Sequence, residues 1–176
     1  MINLIGSLPT GKIKTVVFHQ VFVTVIEVIG IICDMKHQDI ASHFRSLGAE
    51  AVIFDPNHIC GKDHVVSSYI HAERAFSLNN PRTRNILSET ILYASGDRQI
   101  GRAIKKMGPK DGDTGFVILI IGDVEDLKLS EIGAKSDDSL IDCTEVSAKN
   151  MGLEKSTIPY KELILEHVAA VDIMKY

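Results

Sequence analysis

The chain has 176 residues, 45% of them hydrophobic and 24% charged, with a formal net charge of -4. These values are ordinary for a globular protein, predict one domain over residues 1–176 with a buried core, and exclude a low-complexity chain. Cys33, Cys60 and Cys143 are odd in number and far apart in sequence, so they give no CxxC and no disulfide framework, which fits a reducing cytoplasm.

Charge is unevenly spread. Residues 71–110 hold eight Lys or Arg against three Asp or Glu, whereas residues 111–142 hold nine acids against Lys128 and Lys135. Five of the six arginines, Arg74, Arg82, Arg84, Arg98 and Arg102, lie between positions 74 and 102. Such polarity steers anionic partners to one face and leaves the other for basic ones.

In chain order, INLIG near the start reads as a strand. The apolar run Val16 to Ile32 is interrupted by His19, Gln20, Thr24 and Glu27 and is rich in Val and Ile. It predicts one or two buried strands rather than a bilayer helix; neither a secretory signal nor a membrane span is expected. A short helix over 37–47 ends at Gly48, which suits a left-handed cap. AVIF at 51–54 is a strand stopped by Asp55-Pro56-Asn57. A helix over 62–78 follows, then a loop broken by Pro81, then a helix over 86–95 capped by Asn85. Gly96 closes that helix and Asp97 opens another over 98–107, which Gly108-Pro109 ends. FVILII at 116–121 is a buried strand. Asp142 with Glu145 resembles a capping box, and Pro159 suits the first position of a final helix over 160–174. The order predicts a mixed α/β fold: one sheet covered by helices, with a central cluster of three helices and a single core.

On a helical wheel at about 100° per residue, Val65, Tyr69, Ala72 and Phe76 form the core stripe of helix 62–78. His64, Ser67, His71 and Arg74 fall roughly opposite. In helix 98–107, Ile100, Ala103, Ile104 and Met107 form the buried stripe. Arg98, Arg102, Lys105 and Lys106 fall on the other side. A polar face on a surface helix needs no ligand. Two adjoining basic helices with Arg82 and Arg84 between them make one electropositive surface, and arginine both forks onto phosphate and stacks on bases.

Other chemistries find little support. His64 and His71 are two turns apart, too far to chelate one metal ion, and His58 adds no zinc spacing. No metal and no cofactor is expected. There is no P-loop, GxSxG, HExxH or GxGxxG. Cys60 near His58 or His64 is no more than a small buried residue near a histidine. Glu89, among Ile86, Leu87, Ile91 and Leu92, reads as a paired, half-buried carboxylate.

The segment 61–108 resembles the TPRKB family, the kinase-binding small subunit of the KEOPS (EKC) complex. The resemblance rests on GKDH at 61–64, HAERAF at 71–76, Asn85 and Glu89, LYASGDRQI at 92–100, then Ala103 and Gly108. The apolar run 14–35 and the acidic segment 123–142 lie outside it.

The resemblance implies a non-catalytic subunit, not an enzyme. It would bind and stimulate the kinase-like subunit of the complex and recruit tRNA by its single-stranded 3′ CCA tail. In this way it would support threonylcarbamoyladenosine formation carried out by another subunit. The implied partners are the kinase-like subunit, tRNA and, indirectly, the other subunits; no membrane is implied, and an isolated homodimer is left open. Arg74 and Arg98 stand on motif positions. With them, His71, Arg84, Asn85, Arg102, Lys105 and Lys106 are the residues expected to touch tRNA, Arg84 on charge alone. The alternative is a protein-binding adaptor whose basic face docks an acidic partner without specific RNA recognition.

Overall fold

The computed structural model describes residues 15–18, 23–154 and 157–173. The strand expected near the start and the turn between the first two strands lie outside them. The described strands are β1 (Thr15–Phe18), β2 (Val23–Ile32), β3 (Glu50–Phe54), β4 (Gly115–Ile121) and the short β5 (Lys135–Ser136). The helices are α1 (His37–Ser46), α2 (Lys62–Ser77), α3 (Ile86–Ser95), α4 (Ile100–Met107), α5 (Glu145–Asn150) and α6 (Tyr160–Ile173). The fold is mixed α/β, as the sequence predicts.

The sheet runs β1-β2-β4-β3, all antiparallel, and β5 pairs with the far end of β2. β2 and β4 form its centre, with Val28 opposite Leu119 and Ile26 opposite Ile121. Successive side chains of a strand point to opposite faces, so a strand buried on both sides reads as an unbroken apolar run. That explains the composition of residues 26–31 and of FVILII.

The expected single core is divided by this sheet. On one face Ile26, Val28, Val52, Phe54, Val117 and Leu119 meet Val65 and Tyr69 of α2, Ala94 of α3, Met107 of α4 and Ile164 of α6. On the other, Ile29, Ile31, Phe116, Ile118 and Ile120 meet Ile40 and Phe44 of α1 together with Val124, Leu127, Ile132 and Ala134. The acidic segment is thus amphipathic. Its apolar residues cover the second face of the sheet, and Asp123, Glu125, Asp126 and Glu131 are exposed. It presses so close to β2 that a Cβ on Gly30 would lie 2.1 Å from the Asp137 carbonyl oxygen.

Caps follow the sequence with two shifts. Asn85 accepts the Ser88 N–H at 2.9 Å, and Gly96 is left-handed at φ 67°. The capping box before α5 is Thr144 with Ser147, not Asp142 with Glu145, because Thr144 is the residue in extended conformation directly before the helix. α4 begins at Ile100 rather than at 98. The Asp97 carboxylate accepts the N–H groups of Arg98 and Gln99, at 2.6 and 3.0 Å, and holds them in a turn.

Candidate functional site

The basic surface is built on the packed helices α2, α3, α4 and α6. Its foundation is the C-terminal end of α3, where backbone carbonyls need donors. His64 lies in the first turn of α2. Its Nδ1 accepts the Cys60 N–H at 3.2 Å and its Nε2 donates to the Ala94 carbonyl at 2.9 Å. The Lys106 ammonium donates to the Ser95 carbonyl at 3.0 Å, and His167 of α6 hydrogen-bonds the same carbonyl. The Gly96 N–H takes the Tyr93 carbonyl. Two side chains from α2 and α6 and one cation from α4 therefore converge on one helix end, where positive charge is also favoured by the helix dipole.

The wheel placed His64 on the solvent side, but it is fully buried. α2 packs against α3 and α6 as well as the sheet, so His64, Ser68, Ala72 and Ala75 form a second buried stripe. Burial pushes the His64 pKa down to about 4 against the opposing hydrogen bond to Ala94. Phe76 is half-buried and Ile104 is 49% exposed, again unlike the wheel. α4 rests mainly on α3, and Ala103 and Met107 alone fill its narrow contact.

Glu89 is buried and anchors the loop between α2 and α3. Its carboxylate accepts the N–H groups of Arg82, at 3.1 and 3.0 Å, and Thr83, at 2.8 Å. The Arg82 guanidinium reaches the Arg98 carbonyl at 3.4 Å. This brings the loop beside the α3–α4 junction. Arg102 donates to Asp97 at 2.9 and 3.1 Å. Burial acts to raise the Asp97 pKa, but Arg102 and the two backbone N–H groups outweigh it and hold the carboxyl low. Arg84, Arg98 and Lys105 are exposed, and among the described residues no carboxylate pairs with their charged groups.

His71 and Arg74 form a second group. His71 Nδ1 lies 2.8 Å from Asp172 of α6, and Arg74 pairs with the same carboxylate oxygen. Tyr93 donates its hydroxyl to the other oxygen. Burial pushes Asp172 up, but Tyr93, His71 and Arg74 together hold its pKa below the ordinary value. The eight expected contact residues thus fall into three kinds. Arg84, Arg98 and Lys105 have no ion pair among the described residues; Arg74, His71 and Arg102 are paired with Asp172 or Asp97; Asn85 and Lys106 bond helix ends.

The residues with nucleophilic or basic chemistry are occupied. Burial beside the Cys143 thiol pushes the Cys60 thiol up to about 12. Both nitrogens of His64 are hydrogen-bonded in the core. Asp172, His167 and Tyr93 carried no signal in the sequence, because their roles depend on where α6 packs. Among the described residues no three His, Cys, Asp or Glu side chains are grouped to hold a metal ion. No described helix is long and apolar enough to cross a membrane.

Residues 34–161 match the family described as Kinase binding protein CGI-121. The chain belongs to the CGI-121 family. The match takes in α1 to α5, and with them the eight expected contact residues; His167 and Asp172 of α6 lie beyond it. A relative from Methanocaldococcus jannaschii, named Regulatory protein Cgi121, is 33% identical over 117 residues, covering 65% of this chain and 76% of the relative. This is the family that the motifs of 61–108 resemble, and the match extends well beyond them into the acidic segment.

Proposed function

We propose that the protein is a non-catalytic, cytoplasmic subunit of the KEOPS complex. It binds and stimulates the kinase-like subunit and recruits tRNA by its 3′ CCA tail, in support of threonylcarbamoyladenosine modification. Membership of the CGI-121 family supports the regulatory, kinase-binding part. The observation that carries the tRNA part is the meeting of the Glu89-anchored loop with the α3–α4 junction, which brings the loop of Arg82 and Arg84 beside the turn that holds Arg98 and pairs Arg102. An unstacked RNA tail offers phosphates, 2′-hydroxyls and base faces. Arginine suits all three, and Asn85 and His71 suit hydroxyls and base edges. His71, Arg74 and Asp172 would be a pre-arranged arm of that surface. Lys105 and Lys106 would add salt-dependent attraction to phosphate.

The non-catalytic reading is supported by the occupied rings of His64 and His71. A second reading, an adaptor that docks an acidic protein, is favoured by the internal pairing of Arg74 and Arg102, which leaves fewer charges for phosphate. Affinity for tRNA separates the two. Arg98→Glu and Arg84→Glu should each weaken tRNA binding about tenfold or more, at unchanged thermal stability, while kinase binding persists. Equal tRNA affinity in both variants would leave the adaptor reading.

A further inference from the structure

Two of the three cysteines, far apart in sequence, meet in the fold. The Gly61 N–H donates to the Ile141 carbonyl at 2.8 Å, joining the backbone just after Cys60 to the backbone just before Cys143. The Cys60 thiol lies 3.6 Å from Ser147 Oγ. Ser147 Oγ in turn accepts the N–H of Thr144, the residue after Cys143, at 2.9 Å. Cys143 packs against the apolar cluster to which Cys60 belongs, and the two thiols are close enough to hydrogen-bond. They differ in access: Cys60 is 1% exposed and Cys143 is half-buried. Cys33 sits across the sheet, its thiol donating to the Ile132 carbonyl.

We propose that Cys60 and Cys143 are a reversible dithiol–disulfide pair, oxidised by small disulfides such as glutathione disulfide that enter at Cys143. The Cys143 thiolate attacks one sulfur of the oxidant. A bond forms between them, the oxidant's S–S bond breaks, and one glutathione leaves and takes up the proton that Cys143 lost. The Cys60 thiolate then attacks the Cys143 sulfur. The mixed disulfide breaks and the second glutathione leaves with the proton from Cys60. Two protein thiols are oxidised to one disulfide, and one glutathione disulfide is reduced to two glutathione molecules.

The new bond would tie the start of α2 to the residue preceding the Thr144 cap of α5. It involves none of the basic residues and stands independently of the tRNA reading. Exchange needs a thiolate, and the buried Cys60 releases its proton reluctantly. The first step is therefore the faster one at neutral pH, and closure gains about tenfold in rate per pH unit.

The test uses the full chain under native conditions, in graded mixtures of oxidised and reduced glutathione at pH 7, 8 and 9. Samples are acid-quenched, weighed by mass spectrometry and mapped for cysteine peptides. The expected course is a glutathione adduct on Cys143 that converts to a Cys60–Cys143 link, about tenfold faster per pH unit and reversed by dithiothreitol, with Cys33 still reduced. Cys60→Ser should stop at the Cys143 adduct, and Cys143→Ser should take up no glutathione. A wild-type chain that stops at the adduct, that links only in urea, or that links through Cys33 overturns the proposal.

Discussion

His64 joins two helices through its ring, and its neutral form is the one the core accepts. Its folded pKa of about 4 lies below the ordinary 6.5. The unfolded chain therefore binds more protons between those values. Stability is fully present above pH 6.5 and falls as pH drops toward 4, by roughly 3 kcal/mol at 1.36 kcal/mol per unit. His167 is shifted down by burial and by Lys106, so it acts in the same direction. Asp55 works in a lower window. Burial acts to raise its pKa, but His58 and Asn57 hold it at about 2, so its contribution is lost only below the ordinary 3.8. Urea unfolding at pH 7, 5.5 and 4.5 checks this. The wild type should weaken stepwise, and His64→Gln should flatten the slope while lowering stability at pH 7. A flat wild-type profile contradicts the assignment. The sequence pointed to the wrong side of α2 here. Its Val65, Tyr69 and Ala72 stripe was visible, but a buried histidine whose two partners are backbone groups leaves no trace in side-chain pattern. The basic residues were legible by type and spacing; the pairing of Arg74 and His71 with Asp172 was not, because it spans α2 and α6.

The α3–α4 junction is where element geometry is tightest. A Cβ on Gly96 would lie 1.8 Å from His167 Nε2, in a left-handed conformation that disfavours any side chain. Gly96→Ala should cost about 2–4 kcal/mol in urea unfolding, from both strain and displacement of the ring. Adding His167→Ala should recover part of that loss, giving a clear interaction energy in the double-mutant cycle. Strict additivity would mean that the glycine is needed for its backbone alone. The turn itself was legible: Gly96-Asp97 reads as a cap followed by a second cap, and both residues act at the junction. What could not be read was why glycine is required, since the ring that fills its space comes from α6. The late start of α4 and the exposure of Ile104 have a similar origin. Asp97 spends its carboxylate on a turn and on Arg102, and a helix seated on one neighbour buries only its Ala103–Met107 edge.

At the scale of the molecule, the sheet separates two layers. One side carries α1 and the acidic segment; the other carries the four packed helices and the basic surface. The fold class was legible because β2 and β4 are apolar on both faces and Asn85 and Gly96 mark the two ends of α3. The division of the core and the role of residues 123–142 were not, since irregular segments that cover a sheet have no period to detect. On the basic surface, buried or paired groups and exposed cations should differ in what they contribute to stability. Asp172→Ala removes the shared acceptor of His71, Arg74 and Tyr93 and should lower stability by about 1–3 kcal/mol. Arg98→Glu should change it by less than about 0.5 kcal/mol. Thermal unfolding of the two variants side by side checks the contrast.

The most direct test of the proposed role is binding of the purified protein to an intact tRNA and to the same tRNA lacking its CCA tail, at two salt concentrations. The account predicts that trimming abolishes binding, that higher salt weakens it, and that Arg98→Glu mimics the trimmed tRNA. Equal affinity for both RNAs, or none for either, would contradict it and leave the cations after Gly96-Asp97 as a protein dock.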